Sequence, residues 1–297
     1  MIFKELDSCT LCPRNCRVNR NDGKNGFCKA GKNVKIALAD LHFFEEPCIS
    51  GKDGSGTVFF TGCNLKCVFC QNYEVSQNYK GRENSIEDLA DTFISLQNKG
   101  ANNINLVTGF MYVPQIKEAV NIARKKGLSV PIVYNSSGYE SIQTIKLLDG
   151  VVDIYLPDFK YYYNELGKKF SKVEDYFEIA TSSIEEMYRQ VGVPQFDSNG
   201  MIKKGLIIRH LVLPGNIDNS KKVLSWIKNN INSEVYVSVM AQYFPTHIAK
   251  EDISYGLNRK LSIEEYNDIE EYVFKLNLNG FIQDLEDDEE KYVPNFL

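Results

Sequence analysis

The sequence predicts an α/β fold in which a parallel sheet is covered by helices. Six short apolar runs recur along the chain, each followed by a stretch with helical patterning. The runs are continuous rather than alternating, as befits strands buried on both faces. Of 297 residues, 43% are apolar and 12% aromatic, enough for a sizeable core and against intrinsic disorder.

The elements follow in order. Residues 1–50 form a cysteine-rich segment with few periodic apolar runs, ahead of a core spanning 51–297. Residues 56–60 are the first strand. Ser85 opens a helix with Asp88 three residues later, a capping-box pattern. Ile86, Leu89 and Phe93 recur at helical spacing, and Gly100 closes the helix. Strands over 103–108, 131–134 and 151–156 alternate with helices over 114–126, about 140–148 and about 174–190. Strands over 206–212 and 235–240 follow, with helices around 219–230 and 262–276. Periodicity leaves open whether this sheet stays flat or rolls into a barrel. Either way, ligands are expected beyond the carboxyl ends of the strands. The acidic stretch 284–291 reads as a solvated terminus.

Charge and patterning exclude several classes. Lys and Arg number 34 against 39 Asp and Glu, a net charge of −5, so the chain as a whole has no electrostatic reason to bind nucleic acid. No apolar run is long enough for a membrane span. The start, Met1 to Asp7, lacks a basic-then-apolar export signal, which predicts a cytoplasmic protein.

All eight cysteines (9, 12, 16, 28, 48, 63, 67 and 70) fall in the first quarter of the chain. A secreted disulfide scaffold would be shorter and would spread them throughout, so the clustering points to metal ligation. With histidine only at 42, 210 and 247, any such site is dominated by thiolates.

After the first strand comes Thr61-Gly62-Cys63-Asn64-Leu65-Lys66-Cys67-Val68-Phe69-Cys70-Gln71-Asn72, with the spacing Cys-x3-Cys-x2-Cys. Three thiolates on one loop can each hold one iron of a cubic iron–sulfur cluster. A pure electron carrier supplies a fourth cysteine; three leave one iron open for substrate or cofactor, as catalytic zinc sites do by analogy. A zinc site or buried free thiols are the other readings, and structural zinc would need a fourth ligand from elsewhere.

This motif, with Phe69 as the aromatic before its last cysteine, resembles the signature of the radical S-adenosylmethionine superfamily, and the resemblance spans roughly residues 55–250. Within it the chain looks most like proteins related to the pyruvate formate-lyase activating enzyme. The resemblance implies a partial (β/α)6 barrel in which Cys63, Cys67 and Cys70 hold a 4Fe–4S cluster. S-adenosylmethionine (SAM) would chelate the fourth iron through its amino and carboxylate groups. One electron would then split the C5′–S bond into methionine and a 5′-deoxyadenosyl radical that abstracts hydrogen. Implied partners are a reductant such as flavodoxin or ferredoxin and, in the strictest form, a glycyl radical enzyme as protein substrate. The wider readings are a radical enzyme acting on another protein or small molecule, and a non-catalytic iron–sulfur electron-transfer protein.

Each later strand exit carries candidates. Gly109, after Thr108, stands where the family places a glycine-rich contact to the methionine amino group, though the rest of that pattern is replaced by Phe110 and Met111. Asn135 and Ser136 stand near the expected methionine carboxylate, with Asn135 in place of the family's acidic residue; an Asx-type turn is the alternative. Asp158 and Lys160 match the family's Asp-x-Lys, and their opposite charges suit a zwitterionic aminoacyl group, with Lys160 expected among the catalytic residues. Arg209 and His210 form a charged pair inside an apolar strand, costly unless paired. The resemblance turns Arg209 inward to the cofactor carboxylate and leaves His210 in the outer layer. Gln242 to Pro245 and His247 read as a polar loop. Cys9, Cys12, Cys16 and Cys28 form a second metal candidate for zinc or another iron–sulfur cluster, and Cys48 reads as a small buried residue.

Overall fold

A computed structural model describes residues 3–285 and Phe296. The acidic stretch 284–291 therefore lies largely outside the described residues. In chain order the strands are β1 (Val34–His42), β2 (Ser55–Phe60), β3 (Arg82–Asn84), β4 (Ile104–Val107), β5 (Ile132–Ser136), β6 (Ile154–Pro157), β7 (Gln195–Phe196), β8 (Ile202–Leu211), β9 (Tyr236–Met240) and β10 (Asn279–Ile282). The helices are α1 (Pro47–Ser50), α2 (Tyr73–Ser76), α3 (Ile86–Asn98), α4 (Val113–Lys125), α5 (Ile142–Leu147), α6 (Asn164–Ser171), α7 (Tyr176–Val191), α8 (Ile217–Asn230), α9 (His247–Glu251) and α10 (Ile263–Leu276).

The strands form one sheet in the order β10-β9-β8-β6-β5-β4-β2-β1-β3, with β7 paired to β8. From β2 to β10 every neighbouring pair on that path is parallel. The sheet curls into an open partial barrel rather than closing. The six expected parallel strands are present, and β10 adds a seventh. Residues 34–42, within the cysteine-rich segment, form β1, which pairs antiparallel with β2 and carries the short edge strand β3.

Alternation along each strand builds two layers. Outward residues such as Leu106, Tyr134, Tyr155 and Leu206 stand in register across β4, β5, β6 and β8 and pack beneath the helices. Inward residues begin as an apolar plug of Val133, Ile154, Leu156, Ile202 and Ile207 with Cys48 and Ile49 of α1. Two residues further along, the inward positions become Asn135, Asp158 and Arg209, all of which line a cavity. The plug thus seals one end of the curl and leaves the strands' carboxyl ends open.

Helix starts follow the local chemistry. Ser85 Oγ accepts from Asp88 N, and Asp88 Oδ2 accepts from Ser85 N, both at 3.0 Å, completing the capping box of α3. Ser262 and Glu265 repeat it on α10. Among the described residues no helix is long and apolar enough to cross a membrane.

Candidate active site

The cavity beyond the strand ends has a volume of about 750 Å³, within the range typical of small-molecule sites. Its wall includes Cys63, Cys67, Phe69 and Cys70 from the loop after β2, and Asn135, Ser136, Asp158, Lys160 and Arg209 from the later strand exits. Nine of the ten candidates from the triad, the cofactor contacts and Lys160 thus meet in one space. Gly109 does not lie on that wall; Thr108, held at φ +58°, does. A Cβ on Gly109 would come within 2.7 Å of Ile116 Cδ1, so the glycine there serves close packing at the start of α4.

The three thiols of the loop each meet a hydrogen-bond donor. Leu65 N donates to Cys63 Sγ at 3.4 Å. The Ser171 hydroxyl lies 3.0 Å from Cys67 Sγ, and the Ser76 hydroxyl 3.2 Å from Cys70 Sγ. Burial raises the pKa of all three, that of Cys67 to about 11, and neighbouring thiols add to the rise at Cys63 and Cys67. In the protonated form, burial therefore costs them little; a bound metal would displace the protons and supply the positive charge that thiolates need. Phe69 is buried behind the triad, edge-on to Phe170 and Tyr243 with centroids 6.4 and 6.1 Å apart.

Lys160 Nζ lies 2.5 Å from Asp158 Oδ2. Burial opposes its ammonium, but Asp158 and the Cys67 and Cys70 sulfurs outweigh that and raise its pKa. It shares the cavity wall with the triad, and Asp158 holds it there.

Arg209 differs from expectation. It lies on the cavity wall, but two carboxylates already hold it. Its Nε and Nη2 donate to Glu46 Oε1 and Oε2 at 2.7 and 2.6 Å, and Nη2 also contacts Glu45 Oε2. Asn105 Nδ2 occupies the other Glu45 oxygen at 2.8 Å. The guanidinium thus anchors an internal ion network of net charge −1 rather than standing free for a ligand carboxylate. Glu45, Glu46, His42, Phe43 and Phe44 line the cavity beside it and carried no spacing signal in the sequence. The cost of an unpaired arginine in an apolar strand was the one clue that such partners must exist.

His210 faces the outer layer, as expected. Its Nδ1–H donates to Phe159 O at 2.6 Å, which leaves Nε2 to accept from Ser220 Oγ at 2.8 Å. Burial pushes its pKa down to about 4, so it is neutral and structural. Gln242 reaches the cavity wall, while His247 stacks on Tyr73 with centroids 4.6 Å apart. Cys48 is buried in α1.

Cys9, Cys12, Cys16 and Cys28 line a separate small cavity of about 10 Å³, floored by Phe110 and Met111. Phe27 N donates to Cys16 Sγ at 3.4 Å. Arg20, 1% exposed, reaches Cys9 Sγ at 3.8 Å and has no carboxylate partner among the described residues. Burial pushes the Cys12 thiol up to about 12, with the other three sulfurs adding to the rise. Among the described residues neither cysteine set is gathered tightly enough to hold a single metal ion. A polynuclear cluster spaces its sulfur ligands more widely than one ion does. The chemistry of the donor set (three soft thiols, three N–H or O–H donors to sulfur, an open cavity on the remaining side) fits such a cluster.

A family model described as the radical SAM superfamily matches residues 57–227. Uncharacterized protein MJ0674 of Methanocaldococcus jannaschii is 34% identical over 288 residues, covering 94% of this chain and 77% of that protein. Uncharacterized protein MJ0808 of the same organism is 24% identical over 169 residues, 50% of this chain and 49% of its own. Among solved structures, a methylornithine synthase superposes with a TM-score of 0.46 at 14% identity, over 74% of this chain and 68% of its own. Coproporphyrinogen III oxidase from Escherichia coli, described as a radical SAM enzyme, gives 0.48 at 11% identity over 73% and 50%.

Proposed function

The chain belongs to the radical SAM superfamily, and from that premise we propose that it cleaves SAM reductively at a 4Fe–4S cluster held by Cys63, Cys67 and Cys70, to abstract hydrogen from a substrate. The observation that carries this is the convergence of the triad, Asp158–Lys160 and the Asn135–Ser136 exit on one cavity. Cys63, Cys67 and Cys70 would hold the cluster, which when bound would supply the one electron that reductive cleavage of the sulfonium's C5′–S bond requires.

The protein's part is placement and exclusion of water. Ser171 and Ser76 hydroxyls stabilise charge on Cys67 and Cys70. Asn135 and Ser136 offer amide and hydroxyl groups to a polar cofactor end. Asp158 orients Lys160 toward the sulfurs. The apolar plug beneath keeps the floor dry.

Anaerobic protein reconstituted with iron and sulfide, given SAM and dithionite, should release 5′-deoxyadenosine and methionine in equal amounts. Cys67→Ala should lose both the cluster absorbance and the cleavage. Cleavage no faster in the wild type than in Cys67→Ala would refute the reading.

The narrower reading, hydrogen abstraction from a glycine of a partner enzyme, rests on the sequence resemblance. A glycyl radical signal in that partner after incubation with this protein and SAM is its test. For the N-terminal quartet we propose a second metal centre. Metal-bound thiolates there would carry net negative charge, and the buried Arg20 guanidinium, which contacts Cys9 Sγ and two backbone carbonyls, would offset part of it.

A further inference from the structure

In a chain of net charge −5, one group of cations beside the cysteine loop makes no ion pair with a carboxylate among the described residues. Lys66 lies within the loop, between Cys63 and Cys67. Its Nζ donates to Tyr79 Oη at 3.0 Å and sits 5.3 Å from the Phe27 ring centroid. Lys29 Nζ lies 4.4 Å from the Tyr79 ring, and the Arg14 guanidinium 3.9 Å from the Phe27 ring. Arg14 also donates to Asn64 O at 2.9 Å and Lys172 O at 2.7 Å. Lys172 Nζ in turn reaches Tyr255 Oη at 3.4 Å. Four cations and three aromatic rings are thus linked in one chain of contacts. Among the described residues none of the four makes an ion pair.

This patch is distinct from the cavity, whose wall includes none of these residues. It is nonetheless one backbone away from the triad. Lys66 N donates to Ser171 O at 3.1 Å, and the Ser171 hydroxyl meets Cys67 Sγ. Cation–π contacts keep Arg14, Lys29 and Lys66 in place without neutralising them, leaving their charge for an outside partner.

We propose that this face is the docking surface for an acidic one-electron carrier protein. The inference rests on the proposed function, which consumes one electron per cleavage and provides no source for it. The transfer is balanced: the carrier is oxidised by one electron, and the cluster at Cys63, Cys67 and Cys70 is reduced by one, with no bond made and no proton moved. A carrier with a negative face would be steered to the cationic patch, and so to the backbone nearest the sulfurs.

The test uses the reconstituted holoprotein, with a purified flavodoxin and a purified ferredoxin as probes. Lys29→Glu combined with Lys172→Glu reverses two patch charges outside the cysteine loop. Lys117→Glu with Lys125→Glu makes the same charge change on α4, which packs against α3 and α5. Carrier affinity is measured by calorimetry between about 50 and 300 mM salt, a range over which screening removes surface attraction. Cluster reduction by each reduced carrier is followed by absorbance, and dithionite-driven SAM cleavage is measured alongside. The patch variant should bind at least one carrier about tenfold more weakly and lose most of the salt dependence, while the α4 variant stays within about twofold of the wild type. Cleavage with dithionite should be unchanged in both. Equal weakening in both variants, or none in either, would overturn the proposal. So would a patch that binds a single-stranded oligonucleotide in preference to both carriers. Failure of dithionite cleavage in the wild type would instead count against the proposed function, while the affinities would still decide the surface.

Discussion

Arg209→Met breaks the internal ion network at its centre. It leaves Glu45 and Glu46, with side chains 8% and 4% exposed, facing each other without their cation. Removing one partner of a buried ion pair costs about 3–5 kcal/mol, because the remaining charge stays desolvated. At about 2 °C per kcal/mol for a chain of this size, the melting temperature should fall by about 6–10 °C. The sign with pH follows from Glu46. Burial works against its charged form, but Arg209 outweighs burial and holds its pKa below the usual range in the folded protein. Its pairing therefore stabilises the fold above the ordinary carboxylate range and is lost as pH falls through the lowered value. In the variant the carboxylates take up protons readily, so the deficit against the wild type should be largest near neutrality and shrink toward acid pH. Adding Glu45→Gln and Glu46→Gln removes the stranded charges and should recover most of the loss. The assay is thermal unfolding of the apoprotein under reductant, followed by circular dichroism between about pH 3.5 and 7.5, a range that brackets the unfolded carboxylate pKa. A fall of less than 2 °C for the single variant, or a triple variant no more stable than the single, would refute the account of Arg209 as a structural anchor.

Three further outcomes follow from the structure. Burial raises the Glu140 carboxyl to about 8, with Tyr134 Oη donating to it at 3.3 Å. Its charged form is disfavoured in the fold, so Glu140→Gln should gain stability over the wild type as pH rises from about 5 to 8; a pH-independent difference in melting temperature would contradict this. Cys12→Ala should lower bound metal at the quartet while SAM cleavage stays measurable, read by elemental analysis and product assay; complete loss of cleavage with the main cluster intact would mean that the two centres are coupled. Gly62 stands at φ +103°, and a Cβ there would meet Cys28 O at 2.5 Å. Gly62→Ala should therefore push the N-terminal segment off the cysteine loop and expose residues before Val34 to limited proteolysis, and an unchanged digestion pattern would show that the loop absorbs the methyl group.

The parallel strands were legible because each is a continuous apolar run with a helix behind it. Four strands escaped: β3 and β7 are only three and two residues long, and β1 and β10 escaped for other physical reasons. In β1, Lys35, Asp40 and His42 interrupt the apolar residues of a strand that is only half covered, so it does not read as a buried run. Strand β10 is four residues long and begins Asn279-Gly280, a pair that local chemistry assigns to a turn. The cysteine triad was legible because its ligands lie within eight residues of sequence and their spacing alone carries the chemistry. The partners of Arg209 were not, since Glu46 and Glu45 lie 163 and 164 residues away and only the curl of the sheet brings them together. Asp158 and Lys160 sit two apart and needed no such folding to be paired.

The rim of the reaction chamber is drawn from both ends of the described chain. His42 to Glu46 come from the first strand and the turn behind it, and Gly280 to Asp284 from the last. A ribosome that has delivered everything up to β9 has made a half-open vessel, with the thiols already in place and one side missing. Until β10 pairs with β9, whatever occupies the cavity would meet solvent on that side. Because β10 follows every other strand of the described chain, the enclosure is completed only after the rest of the sheet has been made.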